Sequence, residues 1–234
     1  MPTSQRSRSI LALLLLPFLF SCAPVRDAPE IVTESGLPWP EDARELVIVA
    51  GESELRILAY RDGPLARLGH NHVISTTRID GRVAWTEDIG RSYVELRVPV
   101  ASFEIDRPDL RAEEGDEFPG EIPEQDIAGT RANMLGEKLL DAETYPEIRL
   151  FSRRVRGSLD ALIVDAEVII KDQSTAVSFP LTARREGERL IASGEVSLAQ
   201  TSLGLEPFSA LLGALTVRDE IDLKFRFVAA PPTR

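Results

Sequence analysis

Two histidines, His70 and His72, stand two residues apart, and the chain of 234 residues has no others. In an extended segment residues i and i+2 share a face, so the pair has the spacing of two imidazole ligands to one metal ion. A metal would need a third ligand. With no third histidine and no spare cysteine, a carboxylate such as Asp219 would have to supply it. Two other readings fit the same residues: a hydrogen-bonded turn at the rim of the fold, or polar contacts to the headgroup of a ligand. Extending the alternation of Val73–Trp85 backwards puts His72 opposite the apolar face unless the chain bends at Gly69.

Asp219 is the second candidate. From Leu215 to Val228, odd positions carry Leu215, Val217, Ile221, Leu223, Phe225 and Phe227, and even positions carry Thr216, Arg218, Glu220, Asp222, Lys224 and Arg226. This period of two predicts one antiparallel strand with a dry and a wet face. Asp219 falls on the dry face, where a carboxylate is costly unless paired or hydrogen-bonded. It is either satisfied locally by backbone N–H groups or an arginine, or it orients a polar headgroup at the mouth of a cavity. No Gly-x-Ser-x-Gly elbow and no reactive cysteine recommends nucleophilic catalysis. There is no phosphate-cradling glycine loop either.

The elements that must position these residues read as strands. Leu46–Ala50 and Glu54–Tyr60 are short runs separated by Gly51, predicting a hairpin-like opening. Val73–Thr86, Tyr93–Val100, Leu162–Ile170, Val177–Arg184 and Leu190–Gln200 all alternate. Pro123–Leu140 and Pro207–Leu215 are helix-compatible. Arg107–Glu124 is an acidic run and predicts a solvated loop without chemistry. Many short strands without intervening helices favour a closed barrel or sandwich over a parallel α/β sheet.

The ends and the charge set the context. The formal net charge of −11 argues against nucleic acid as a partner. Arg6 and Arg8 precede an apolar run, Ile10–Phe20, too short to span a bilayer comfortably, which predicts a signal peptide over 1–21. It closes on Leu19-Phe20-Ser21-Cys22, which resembles a bacterial lipobox and implies lipidation of Cys22; export by an ordinary signal peptidase is the alternative. Residues 22–44, with Pro24, Pro29, Pro38 and Pro40, predict an extended tether. Ala23 is not the Asp that retains such proteins in the inner membrane, so the expected location is the outer membrane, facing the periplasm.

Three segments then carry a family resemblance: Leu65-Ala-Arg-Leu-Gly-His-Asn-His-Val-Ile, Met134-Leu-Gly-Glu-Lys-Leu-Leu-Asp-Ala-Glu-Thr-Tyr-Pro-Glu-Ile, and Gly194-Glu-Val-Ser-Leu-Ala-Gln-Thr-Ser-Leu-Gly-Leu. Together they resemble the YceI-like, polyisoprenoid-binding family across most of 45–230. The resemblance implies an all-β, lipocalin-like antiparallel β-barrel with one or two short helices. It also implies an elongated apolar tunnel for an isoprenoid chain, such as a polyprenyl or quinone tail, with no other cofactor. The chain departs from better-known members at Gly69–His72 and in the Phe208–Leu215 turn.

Strand phase selects the expected lining: Val83, Trp85, Leu96, Val98, Val164, Val168, Phe179, Leu181, Val196, Leu223 and Phe225, with Asp219, His70 and His72 as polar contacts. The expectation is a membrane-anchored carrier of a long apolar ligand that catalyses nothing. Two rivals stand beside it: a structural or interaction protein with a filled barrel, and a metal- or haem-associated protein using His70 and His72.

Overall fold

The computed structural model describes residues 39–233. Among them are fourteen strands: β1 (Arg44–Ile48), β2 (Glu54–Ala59), β3 (Arg61–Asp62), β4 (His72–Thr76), β5 (Asp80–Trp85), β6 (Tyr93–Pro99), β7 (Glu104–Ile105), β8 (Glu147–Ser158), β9 (Ala161–Ile170), β10 (Gln173–Glu186), β11 (Arg189–Ala199), β12 (Ser209–Ala210), β13 (Leu215–Val217) and β14 (Glu220–Ala230). Two helices accompany them, α1 (Pro108–Glu113) and α2 (Glu124–Leu135). The predicted signal peptide and Cys22 lie outside the described residues, as does most of the tether.

The strands close into an antiparallel barrel of eight staves. Five are single strands, running β8-β9-β10-β11-β14 in hydrogen-bonded order. The other three are broken. β1 and β2 do not form the expected hairpin; both lie along one edge of β14, with Val47 opposite Ala230 and Leu55 opposite Phe225. β4 and β5 pair with β2 and β1 respectively, and β7 and β6 pair with β4 and β5. Pairing of β6 with β8 completes the ring.

Each broken stave changes phase at its break. Ile48 faces inward from β1 but Leu55 and Ile57 from β2; Ile74 faces inward from β4 but Val83 from β5. The expected single strand from Val73 to Trp85 is therefore two, and Val73 points away from the lumen. An odd number of residues outside the ladder reverses the facing of the next strand, as a bulge does. The breaks lie side by side across three neighbouring staves and bend the wall there.

Two more expectations are corrected. The run Leu215–Val228 is not one strand: the ladder stops at Arg218–Asp219, and β13 joins β12 and β3 in a small separate sheet. Pro207–Leu215 is not a helical turn but β12, a 3-10 turn at Leu211–Gly213, and the start of β13.

The acidic run Arg107–Glu124 is no solvated loop either. Pro108 occupies the first turn of α1, where a missing N–H costs nothing. The segment then packs Leu110 and Phe118 over the outer face of β2 and β4, against Leu58, Tyr60 and Val73. Its charges are partnered: Glu114, 5 % exposed, accepts from Arg56 and Lys224, both at 2.6 Å.

Candidate apolar binding site

Inside the barrel the inward residues do not meet. The larger cavity has a volume of about 200 Å³. Its walls come from β2, β4, β6, β8, β9, β10, β11 and β14. Met134, Leu139 and Leu140 close it from α2 and the following turn, and Leu203 and Leu205 from the turn after β11. A smaller apolar cavity of about 70 Å³ lies towards the other end, bordered by Ile48, Val94, Leu190 and Ala192.

Three phenylalanines stand between the two. Phe225 stacks on Phe227 at 5.1 Å and meets Phe179 edge-on at 5.7 Å, and all three border both cavities. Gly194 makes room for this arrangement. A Cβ there would lie 2.6 Å from the Phe225 ring and 2.6 Å from the Pro180 carbonyl oxygen, closer than atoms approach.

Seven of the lining residues expected from strand phase border the larger cavity: Leu96, Val98, Val168, Phe179, Val196, Leu223 and Phe225. Val83, Val164 and Leu181 border the smaller one. Trp85 borders neither. It sits in a surface cleft with Arg44, Glu188 and Leu190. Strand phase misses Ile57 and Ile74, because of the phase changes, and the closing residues Met134, Leu203 and Leu205. The apolar spacing of Met134 and Leu139 is the one available signal for that closure.

Every side chain bordering the larger cavity is apolar except Gln200, whose Nε2 donates to the Arg218 carbonyl at 2.8 Å. The site offers no nucleophile or general base. It can exclude water and hold hydrocarbon, since an apolar cavity that cannot satisfy water's hydrogen bonds stays dry or takes an apolar guest.

None of the three polar candidates borders this cavity, although His72 shares the inward face of β4 with Ile74 and lies opposite Ala59. Asp219 turns away from the lumen. Its carboxylate accepts from the Thr201 amide at 2.9 Å and hydroxyl at 2.6 Å, and these bonds hold it below the usual carboxylate range. It pins the turn that carries Leu203 and Leu205, so its role is local satisfaction, one of the two alternatives its sequence position allows. His72 Nδ1 donates to the Asp106 carboxylate Oδ2 at 2.6 Å, and its Nε2 lies 3.5 Å from the Thr130 hydroxyl. His70 packs edge-on against His72, ring centres 6.3 Å apart.

Asp106 is the centre of that cluster, and no local pattern marks it. It is fully buried, adopts φ +54°, and accepts from His72, the Val73 amide and Arg111 Nη1. Burial alone would push its carboxyl up, but those partners outweigh burial and hold it below the usual range. Arg111, 2 % exposed, also donates to the carbonyls of Asn71, Pro119 and Gly120. These groups satisfy one another and lock α1 to β4. Among the described residues no cluster of three or more His, Cys, Asp or Glu side chains is placed to hold a metal ion.

Comparison with known proteins agrees with the geometry. The sequence profile of the YceI-like domain matches residues 64–229. The crystal structure of Burkholderia cenocepacia BcnA is similar at 15 % identity, over 78 % of this chain and 99 % of that one, with a TM-score of 0.58. A mutant of the CJ YCEI protein is 8 % identical over 69 % of this chain and 85 % of that one, with a TM-score of 0.50; the Campylobacter jejuni YCEI protein itself gives 0.48. No curated protein matches in sequence.

Proposed function

The chain belongs to the YceI-like domain family, whose barrels bind apolar ligands, and from that premise we propose that it carries one long apolar molecule without transforming it. The observation that carries this reading is the unfilled larger cavity, walled by side chains of which Gln200 alone is polar. A barrel meant only as a scaffold would fill its interior, as small barrels do. The unfilled space supports the carrier reading over the filled-barrel alternative.

The cavity's chemistry favours an unbranched or methyl-branched hydrocarbon chain: an isoprenoid, a quinone tail or another lipid. Each buried methylene contributes about 0.8 kcal/mol, so ten contribute about 8 kcal/mol before the cost of immobilising the chain. Only the surplus over that cost appears as affinity, so a longer chain binds more tightly as long as the cavity can take it.

We further propose that the barrel works in the periplasm, tethered to the outer membrane by lipid on Cys22. Support comes from the basic pair Arg6 and Arg8, the apolar run after them and the lipobox-like Leu19–Cys22. The mass of the mature N-terminal peptide from the membrane fraction tests the anchor: a diacylated Cys22 supports it, an unmodified one removes it.

Organic extraction of protein purified without added lipid, followed by mass spectrometry, tests the cargo. A stoichiometric lipid is expected. Extracts free of lipid, together with failure to take up any polyprenol, quinone or fatty acyl probe, overturn the carrier reading.

A further inference from the structure

The most exposed apolar side chains among the described residues gather at one place. Leu212 is fully exposed, Leu211 is 62 % exposed and Leu68 57 %. Leu211 and Leu212 form the tip between β12 and β13, and Leu68 ends the turn Ala66–Leu68, which is tied to that tip. The Leu65 amide donates to the Ala214 carbonyl at 2.8 Å, and the Leu215 side chain lies against Gly69.

The tip is also strained. Leu211 at φ 52° and Leu212 at φ 58° both occupy the left-handed region, which leucine adopts rarely and asparagine or glycine readily. Packing does not repay this strain, because Leu212 is fully exposed and Leu211 mostly so. Strain that holds two leucines out into water has the character of a functional feature rather than a packing one.

Position and charge indicate what meets the tip. β13 leads through Arg218 and Asp219 into β14, whose Ile221 borders the larger cavity, and Val217 and Leu205 pack on the same core. The tip therefore stands at the end of the barrel that holds the larger cavity. Near it are the exposed Arg67, beside Leu68, and Arg61 and Arg218, none of them in an ion pair among the described residues; Arg61 donates to the Gly69 carbonyl at 2.7 Å, Arg218 stands over the Tyr60 ring, and the exposed carboxylates Asp62 and Glu206 belong to the same segments. Fully exposed leucines with an unpaired guanidinium, Arg67, beside them match a surface that is hydrocarbon below and phosphate above.

We propose that Leu211 and Leu212, with Leu68 beside them, form a docking tip that inserts into the headgroup layer of a phospholipid bilayer. The arginines contact lipid phosphates and hold the cavity end of the barrel against the membrane. The docking explains how cargo enters, and to that extent it rests on the carrier reading. Insertion itself is measured independently of cargo.

The test uses the full-length chain carrying Leu212→Trp, mixed with vesicles of phosphatidylethanolamine and a minor share of phosphatidylglycerol with brominated acyl chains. The added indole is expected to shift to shorter wavelength and to be quenched roughly twofold more than the indoles of the parent protein, as an interfacial side chain would be. Arg67→Gln is expected to weaken vesicle binding by roughly fivefold.

The second variant, Leu211→Asn with Leu212→Asn, relieves the strain and so keeps the fold. It is expected to load polyprenol from vesicles more slowly while holding as much when the lipid is supplied in detergent. Absence of the shift and the added quenching overturns the proposal, as does unchanged loading from vesicles. So does a concentration-dependent dimer that the asparagine pair abolishes, because the tip would then belong to a second copy. Lipid-free protein with a quenched indole would sink the carrier reading and leave the docking intact.

Discussion

β2 and β4 bury apolar residues on both faces, and the two faces are built on opposite principles. Outward, Leu58 and Val73 are 3 % and 1 % exposed and sealed under α1 by Leu110 and Phe118. Inward, Ile57 and Ile74 border open space. The same ladder thus carries a dense core on one side and a void on the other. A protein cannot leave a large apolar cavity empty without compensation, since every lining atom forgoes contacts it would have in a filled core. Here the compensation is external. α1 and its buried ion pairs stabilise the wall from behind, so the lumen is free to be shaped for a guest.

The largest test removes the lock behind the wall. Asp106→Ala strands the buried Arg111 charge and leaves an alanine at φ +54°. Stability is expected to fall by about 3–5 kcal/mol, a large share of a typical domain's total. Asp106→Asn tolerates that backbone and should cost less. Both variants remove the carboxylate, so the gap between their denaturant midpoints measures the backbone and the amide's hydrogen bonds; equal midpoints, both well below the parent's, would assign the loss to the ion pair.

A matched pair comes next, one residue apart in β2. Leu58→Ala opens a hole in a packed core and is expected to cost about 2–5 kcal/mol. Ile57→Ala enlarges a space that already exists, so it should cost under about 2 kcal/mol. If Ile57→Ala costs as much as Leu58→Ala, the lumen is packed in solution and the contrast between the faces fails.

Acid probes the outer face alone. Burial pushes both Asp106 and Glu114 up, but their cationic partners outweigh it and hold each carboxyl below its usual range. A carboxylate with a depressed folded pKa stabilises the fold above its unfolded pKa, and that contribution disappears as pH falls through the folded value. Stability is therefore expected to decline below about pH 4, the unfolded value for such groups. Asp106→Asn should flatten that decline; Ile57→Ala should shift the whole curve without changing its slope.

The same contrast explains what sequence can reveal. Long staves such as β9, β10 and β11 alternate cleanly, so pattern alone assigns Val164, Val168, Phe179 and Val196 inward. The broken staves defeat that reading because their parity depends on pairing with β14, which is remote in sequence, and no local signal announces a phase change at Thr77–Ile79. Asp219 is visible as an anomaly but not as a staple, since its partner Thr201 lies on another turn. Asp106 is invisible. An aspartate before Arg107-Pro108 in a charged stretch reads as solvated surface, and only the docking of α1 makes it the most constrained carboxylate of the wall.

The smallest expected change in stability decides the most about function. Val168 and Val196 face the larger cavity from β9 and β11, two staves separated by β10. In a close-packed interior, replacing both by phenylalanine would force neighbours off their rotamers at about 1–3 kcal/mol each. In this lumen the rings enter existing space and gain contacts, so Val168→Phe with Val196→Phe should leave the thermal midpoint unchanged or raised. The added rings occupy the volume that hydrocarbon would use, and lipid recovered by organic extraction should fall severalfold. The two readouts move apart only if the inner face is hollow because it holds cargo. Loss of stability together with retained lipid would mean that the space is filled by side chains in solution and that the cargo rests elsewhere.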